Sequence, residues 1–284
     1  MLSYRHAFHA GNHADVLKHS VLVAIAKYFH KKQSAYTYID THSGAGVYKL
    51  SDDLANKTQE YKTGIARLYP NSDLALISPY LEQVRVLNAA QGEEKNLQFY
   101  PGSPWFMTEL LREQDQAHLF ELHPQDHALL EQNMNTGKQL KVHMEDGFSG
   151  IKAVLPPQTK RAFIVIDPPY EQANEYKKVV NAIEQGIKRF AVGVFAVWYP
   201  LLNRNDKQGM SETMVDELAK TDITKYLDVR LWTSKQTQGM YGSGLFIVNP
   251  PYILQDLLNQ ELPKLLEVLG LDETAGFSVD YVEK

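Results

Sequence analysis

Eight consecutive residues, Phe163-Ile164-Val165-Ile166-Asp167-Pro168-Pro169-Tyr170, constrain the fold of this chain more than any other stretch. Four apolar residues, all β-branched or aromatic, predict a strand buried on both faces, as in a parallel sheet. Asp167 follows at once, and two prolines then end ladder pairing because they have no N–H to donate. Each proline also holds the residue before it in extended geometry. The expected product is a rigid, non-helical tip at the carboxyl end of a central strand. It carries one carboxylate, several carbonyls no helix can consume, and one aromatic ring. Ligands of open α/β sheets bind at that edge.

The chain has 284 residues, 44% of them hydrophobic, which suffices for one large α/β domain. No apolar run approaches the ~20 residues that span a bilayer, and the start Met1-Leu2-Ser3-Tyr4-Arg5-His6 has no apolar leader region. The sequence contains no cysteine, which excludes disulfides, thiolate metal sites and cysteine nucleophiles and favours a reducing, cytoplasmic address. The formal net charge is −5, so the chain cannot coat nucleic acid by charge alone, although a local basic patch could still grip RNA or DNA.

Along the chain, Asn12 is placed to cap a helix whose apolar stripe runs Val16, Leu17, Val21, Leu22, Ile25 and Phe29. His6, His9, His13 and His19 precede or enter it without a carboxylate pair or thiolate at ligand spacing. They read as a polar, partly cationic lid with Arg5 and Lys18, or as solvated histidines of an ordinary amphipathic helix, before they read as a metal site. The segment 35–40 is the first expected strand, and it runs into Asp40-Thr41-His42-Ser43-Gly44-Ala45-Gly46, a turn where backbone can approach a ligand closely. Residues 47–99 read as an inserted helical subdomain, with helices over 60–68 and 80–90. Ser103 is expected as the N-cap of the next helix, with Pro104 at its first position.

A second strand over 117–124 carries Glu121 at its tip, where a carboxylate can accept ribose hydroxyls. A short third strand over 142–148 carries Asp146, placed to accept from an amino group, and Phe148, able to pack on a base. The opening motif is the fourth strand, 192–200 the fifth, and 226–233 and 243–248 the sixth and seventh. Acids thus end four successive strands: Asp40, Glu121, Asp146 and Asp167.

These residues resemble the class I S-adenosylmethionine-dependent methyltransferases of the N6-adenine type, whose signature is (Asp/Asn/Ser)-Pro-Pro-(Tyr/Phe/Trp). The whole chain resembles the bacterial ribosomal RNA large subunit methyltransferase J family. The likeness is carried by 1–6, 8–19, Asp40-Thr41-His42, Gly44-Ala45-Gly46, Tyr100-Pro101-Gly102-Ser103-Pro104, Glu121-Leu122-His123-Pro124, Asp146-Gly147-Phe148 and Trp198-Tyr199-Pro200. It implies a single Rossmann-like domain, 1–284, with a seven-stranded, mostly parallel sheet covered by helices on both faces. Residues 1–19 would contact cofactor and substrate, and 47–99 would be the helical insertion.

The resemblance further implies methylation of one adenine N6 of 23S rRNA during ribosome biogenesis, on naked or partly assembled RNA, by a monomer using S-adenosylmethionine and no metal. His19, His42, Gly44, Gly46, Ser103, Glu121, Asp146, Gly147 and Asp167 would line the cofactor pocket. Tyr4 and Lys18 would approach the RNA. Asp167 would accept the amino proton, the Pro168 carbonyl would share the amino group, and Tyr170 would stack on the adenine.

Two matters stay open. DNA adenine and protein-glutamine methyltransferases carry related Pro-Pro-Tyr signatures, and a silent RNA-binding module could keep the pocket without turnover. Asn249-Pro250-Pro251-Tyr252 also fits the signature. Chain order favours Asp167, which ends the strand after Asp146, whereas Asn249 ends what reads as the last strand and is expected as a structural turn near the substrate rim.

Overall fold

The protein is described by a computed structural model covering residues 6–70, 72–134, 139–204 and 207–284. Tyr4, the first of the two expected RNA contacts, lies outside the described residues.

A short 3-10 turn, His6–Phe8, leads into α1 (His13–Phe29), which Asn12 caps by accepting the Asp15 N–H at 2.9 Å. The six stripe residues of α1 are all buried. β1 (Thr37–Asp40) follows, then β2 (Val47–Lys49), α2 (Asp53–Thr58), a 3-10 turn, α3 (Ile65–Leu68) and α4 (Ser78–Ala90). β3 (Phe99–Pro101) pairs antiparallel with β2, so the largely helical stretch expected at 47–99 is clasped at its base by a small two-stranded ribbon. The remaining elements are α5 (Ser103–Glu109), β4 (Gln116–Phe120), α6 (Pro124–Asn133), β5 (Leu140–His143), α7 (Gly147–Val154), β6 (Ala162–Ile166), α8 (Ala173–Arg189), β7 (Val194–Asn203), α9 (Met210–Ala219), β8 (Lys225–Trp232), β9 (Gly239–Val248), α10 (Leu254–Leu269) and β10 (Gly276–Glu283).

The main sheet runs β5-β4-β1-β6-β7-β9-β8-β10. It is mixed and mostly parallel: β9 and β10 run against the other six strands. Eight strands form it rather than the expected seven, the eighth being β10, whose Phe277, Val279 and Tyr281 alternate with polar residues against β8. Helices α1, α5 and α10 cover one face and α7, α8 and α9 the other. All five residues of β6 are buried, consistent with a strand sandwiched between helical layers.

Chain order reverses at β1. The chain builds outward from β1 to β4 and β5, then returns to lay β6 on the other side of β1. The carboxyl ends of β1 and β6 therefore flank the crevice where doubly wound sheets bind ligands.

Candidate active site

Four strand ends build one cleft. After β1, the Thr41 N–H and hydroxyl both donate to the Val165 carbonyl of β6, which welds the two strand ends together at 3.1 Å each. The chain then turns through Gly44, whose φ of +61° is left-handed and whose missing Cβ would stand 2.3 Å from the Tyr48 hydroxyl oxygen. That turn aims the Gly44 N–H at Glu121 Oε2 (2.8 Å), while the His123 N–H donates to Oε1 (2.7 Å). Both oxygens of Glu121 are thus fixed by backbone, and burial pushes its carboxyl up from the ordinary value.

Gly147 opens α7 against the Thr41 carbonyl so closely that a Cβ would lie 1.9 Å from that oxygen. No other residue lets α7 start there. Asp146 is the N-cap residue of α7 rather than part of a strand, since β5 ends at His143; one of its oxygens accepts from the Ser149 hydroxyl at 2.9 Å. Phe148 meets His42 edge to face, with ring centroids 4.9 Å apart. Burial lowers His42 to about 4, so its imidazole is neutral, and its Nδ1 is held by the Thr41 hydroxyl at 2.7 Å.

Asp167 stands at the mouth of this cleft, with Pro168 and Pro169 beside it. Lys18, from α1, donates to Asp167 Oδ2 at 2.7 Å and lies 3.0 Å from Asp15 Oδ1. Its side chain is only 4% exposed, so the ammonium is spent on these two carboxylates rather than on solvent. Burial alone would lower Lys18, but the two carboxylates outweigh it and raise the ammonium above its usual range. Burial likewise pushes Asp15 up, yet His6, Lys18 and His19 outweigh it and hold the carboxyl well below the carboxylate range. Asp15 also accepts from the Gly11 N–H and His6 Nε2, each at 2.9 Å. Asp15, missed in the sequence, is therefore the hub that fixes Lys18; its spacing three residues before Lys18 and four before His19 on one helix face was the available signal.

A second cleft opens on the other side of the Asp167–Lys18 pair, and His6 and Pro169 also line both. His9, His13, Trp198, Pro200 and Lys207 are among its walls. The Lys18 ammonium sits 5.5 Å from the Trp198 ring centroid. Lys207 Nζ donates to the carbonyls of Tyr170 (2.6 Å) and Glu171 (2.8 Å), tying down the far end of the Pro-Pro-Tyr turn. Nothing in the sequence around Lys207 signals this clamp, because it comes from a loop after β7.

His19, His42, Gly44, Ser103, Glu121, Asp146, Gly147, Asp167 and Pro168 all line the first cleft, and Lys18 joins both. His19 is fully buried, with Nδ1 on the Tyr100 hydroxyl at 2.8 Å, and burial holds it well below its ordinary value. It is not a solvated helix histidine. Four expectations need correction. Gly46 is behind the cleft wall, where its carbonyl accepts the Gly102 N–H at 2.8 Å. Ser103 is not a cap: Gly102 holds that position, and the Ser103 hydroxyl donates instead to Asp40 Oδ2 at 2.7 Å. Asp40, which also accepts from the Tyr38 hydroxyl, is fully buried beneath the cleft.

The fourth is Tyr170. Its φ of +51° turns the ring inward, where it is 2% exposed, packs on Tyr176 and donates its hydroxyl to the Trp198 carbonyl at 2.7 Å. It offers no free face for a base. The signature-like Asn249 is excluded from the site by strand direction. β9 runs antiparallel to β6 and β7, so its carboxyl end lies at the opposite edge of the sheet, and Asn249 Nδ2 donates there to the carbonyls of Ala191 and Gly193, both at 2.8 Å.

The N-terminal histidines pair with carboxylates, His6 with Asp15 and His9 with Glu60 (3.0 Å) from the insertion. Among the described residues, no three ligand-type side chains gather as a metal site would require. No described helix is long and apolar enough to cross a membrane.

Counting only the main sheet's strands in chain order gives 3-2-1-4-5-7-6-8, and the cleft sits at its switch point between the first and fourth. This is a Rossmann-like α/β protein with the class I methyltransferase arrangement. A family model described as "Ribosomal RNA large subunit methyltransferase D, RlmJ" matches residues 33–283. The chain is 42% identical to the ribosomal RNA large subunit methyltransferase J of Haemophilus influenzae and 43% identical to that of Escherichia coli K12, each over 99% of both chains. A crystal structure of the protein LPL1258 from Legionella pneumophila superposes with a TM-score of 0.86 at 33% identity, covering 96% of this chain and 98% of that one. The chain belongs to the RlmJ family of ribosomal RNA large subunit methyltransferases.

Proposed function

We propose that this enzyme methylates the exocyclic N6 amino group of one adenine in 23S rRNA, with S-adenosylmethionine in the first cleft and the target base entering from the second. The observation that carries this reading is the position of Asp167 where the two clefts meet, with Pro168 beside it in the wall of the first. The first cleft suits the cofactor chemically. Glu121, its oxygens fixed by two backbone N–H groups, can accept from ribose hydroxyls, Asp146 can accept from the cofactor's adenine amino group, and Phe148 with His42 offers an apolar wall for its ring. S-adenosylmethionine supplies a methyl group already activated on a sulfonium.

The protein's part is positional and electrostatic. An adenine amino nitrogen is a poor nucleophile because its lone pair is delocalised into the ring. Hydrogen bonds from its two N–H groups to Asp167 and the Pro168 carbonyl localise that lone pair and point it at the donor cleft. The new N–C bond forms as the S–C bond breaks, and one amino proton leaves to Asp167 or through it to solvent. Lys18 anchors Asp167 through Oδ2 and leaves Oδ1 as the acceptor. Because Tyr170 is buried, the base would meet Pro169 and the other walls of the second cleft rather than stack on Tyr170. Bringing the base into that cleft costs a few kcal/mol from a duplex and less from irregular RNA.

The test offers labelled S-adenosylmethionine with unmodified 23S rRNA, assembled ribosomes, DNA and protein in parallel. Label is expected in naked or partly assembled 23S rRNA. Label confined to DNA or protein would overturn the reading.

A further inference from the structure

The second Pro-Pro-Tyr turn has no part in the chemistry, yet it presents the most exposed large hydrophobic side chain of the described residues: Tyr252 is 75% exposed. The turn that holds it is firmly built. Asn249 adopts a left-handed φ of +53°, its amide nitrogen clamps the loop before β7, and its backbone N–H donates to the Lys225 carbonyl at 3.1 Å. The Tyr252 ring meets Tyr28 of α1 edge to face, with centroids 5.7 Å apart and planes at 80°. Lys31 lies over both rings, 5.5 Å from the Tyr28 centroid and 6.0 Å from that of Tyr252.

Several cations lie on neighbouring helix ends in a chain whose net charge is −5, beside one exposed acid, Asp256, in the first turn of α10. Lys27 and Lys32 are exposed beside Lys31 at the end of α1, and Lys188 and Arg189 are exposed at the end of α8, just before the loop that Asn249 grips. Among the described residues none of these five cations makes an ion pair. Basic residues at helix C-termini are ordinary, since they complement the helix dipole. That account does not explain why an aromatic ring is held out in water among them. An aromatic face with cations around it is the pattern that binds single-stranded nucleic acid, the ring by stacking on a base and the ammonium groups by meeting phosphates.

We propose that Tyr252, Tyr28 and Lys31 form a secondary RNA-binding platform that stacks an unpaired base of the rRNA substrate at the sheet edge opposite the active site. The proposal rests on the reading that the substrate is rRNA. The platform and Asp167 are separated by the length of the sheet, on the order of 20 Å given ~3.3 Å per strand residue and the flanking turns. It therefore acts only on RNA long enough to reach both edges. Its contribution is affinity and not chemistry.

The experiment measures binding of unmodified 23S rRNA, and of a short stem-loop carrying the target adenine, to the full-length protein and to its Tyr252→Ala and Lys31→Glu variants. Each variant is expected to weaken binding of the long RNA roughly five- to tenfold, the scale of one lost base–aromatic stack. The stem-loop affinity, the S-adenosylmethionine affinity and kcat at saturating RNA should stay unchanged. A photocrosslinker in place of Tyr252 should attach to the long RNA. Unchanged long-RNA affinity in both variants would overturn the platform, as would crosslinks only to protein. Failure of the wild-type enzyme to methylate rRNA would instead strike the proposed reaction, and the binding and crosslinking results would still judge the platform by themselves.

Discussion

The two Pro-Pro-Tyr turns are nearly the same four residues placed at opposite ends of one sheet, and everything that differs between them comes from context. Asp167 ends a parallel strand, faces the switch-point crevice and is met by a buried lysine. Asn249 ends an antiparallel strand, faces the other edge and spends its side chain on two carbonyls of a neighbouring loop. The aromatic residues differ just as sharply: Tyr170 is 2% exposed and Tyr252 75%. A tetrapeptide signature thus specifies a strand stop, and strand direction decides which stop becomes a site.

This contrast can be broken by substitution. The largest effect is expected from Asp167→Ala, which should lower kcat by roughly 10²–10⁴, the range of a lost proton acceptor, while S-adenosylmethionine affinity measured by calorimetry changes only a few-fold. Lys18→Met should come next. It leaves Asp15 and Asp167 without their shared cation, and removing one partner of a buried ion pair costs about 3–5 kcal/mol. Thermal or urea unfolding should report that loss. Asn249→Ala should cost about 1–3 kcal/mol through two lost hydrogen bonds and a strained left-handed alanine, with kcat unaltered. Lys207→Met should be milder for stability but visible in rate. Freeing the Tyr170 and Glu171 carbonyls loosens the turn behind Asp167, so kcat should fall roughly tenfold with cofactor affinity unmoved.

A further effect is a pH slope. His13 and His42 are each lowered to about 4 by burial, so the unfolded chain, with imidazoles near 6.5, binds protons that the native state refuses. Their contribution is full above about pH 6.5 and is lost as pH falls toward 4. His42→Gln should flatten that part of the stability–pH curve relative to wild type.

Much of this was legible because β6 and most of β7 are long apolar runs, as a sheet covered on both faces requires. β10 was missed although Phe277, Val279 and Tyr281 alternate with polar residues, since a half-exposed edge strand carries no dense apolar core to announce it. β2 and β3, at three residues each, are too short for any periodicity to register. The acids at the four strand ends could be read, but not that Asp40 is buried beneath the cleft while Asp146 is exposed in its wall. The inward turn of Tyr170 depends on one backbone dihedral, and the Lys207 clamp on a loop 36 to 37 residues away in sequence. Neither leaves a local trace in the sequence.

The central claim is that the Asp167–Pro168 junction receives an exocyclic amino group, and the atom that gains the methyl tests it most directly. Nucleoside mass spectrometry of unmodified 23S rRNA treated with the wild-type enzyme should find N6-methyladenosine, to the same extent with Asn249→Ala and, in the same incubation, at a rate roughly 10²–10⁴ lower with Asp167→Ala. A methyl on a ring nitrogen, a ring carbon or a ribose, or N6-methyladenosine made by Asp167→Ala and lost in Asn249→Ala, would contradict it.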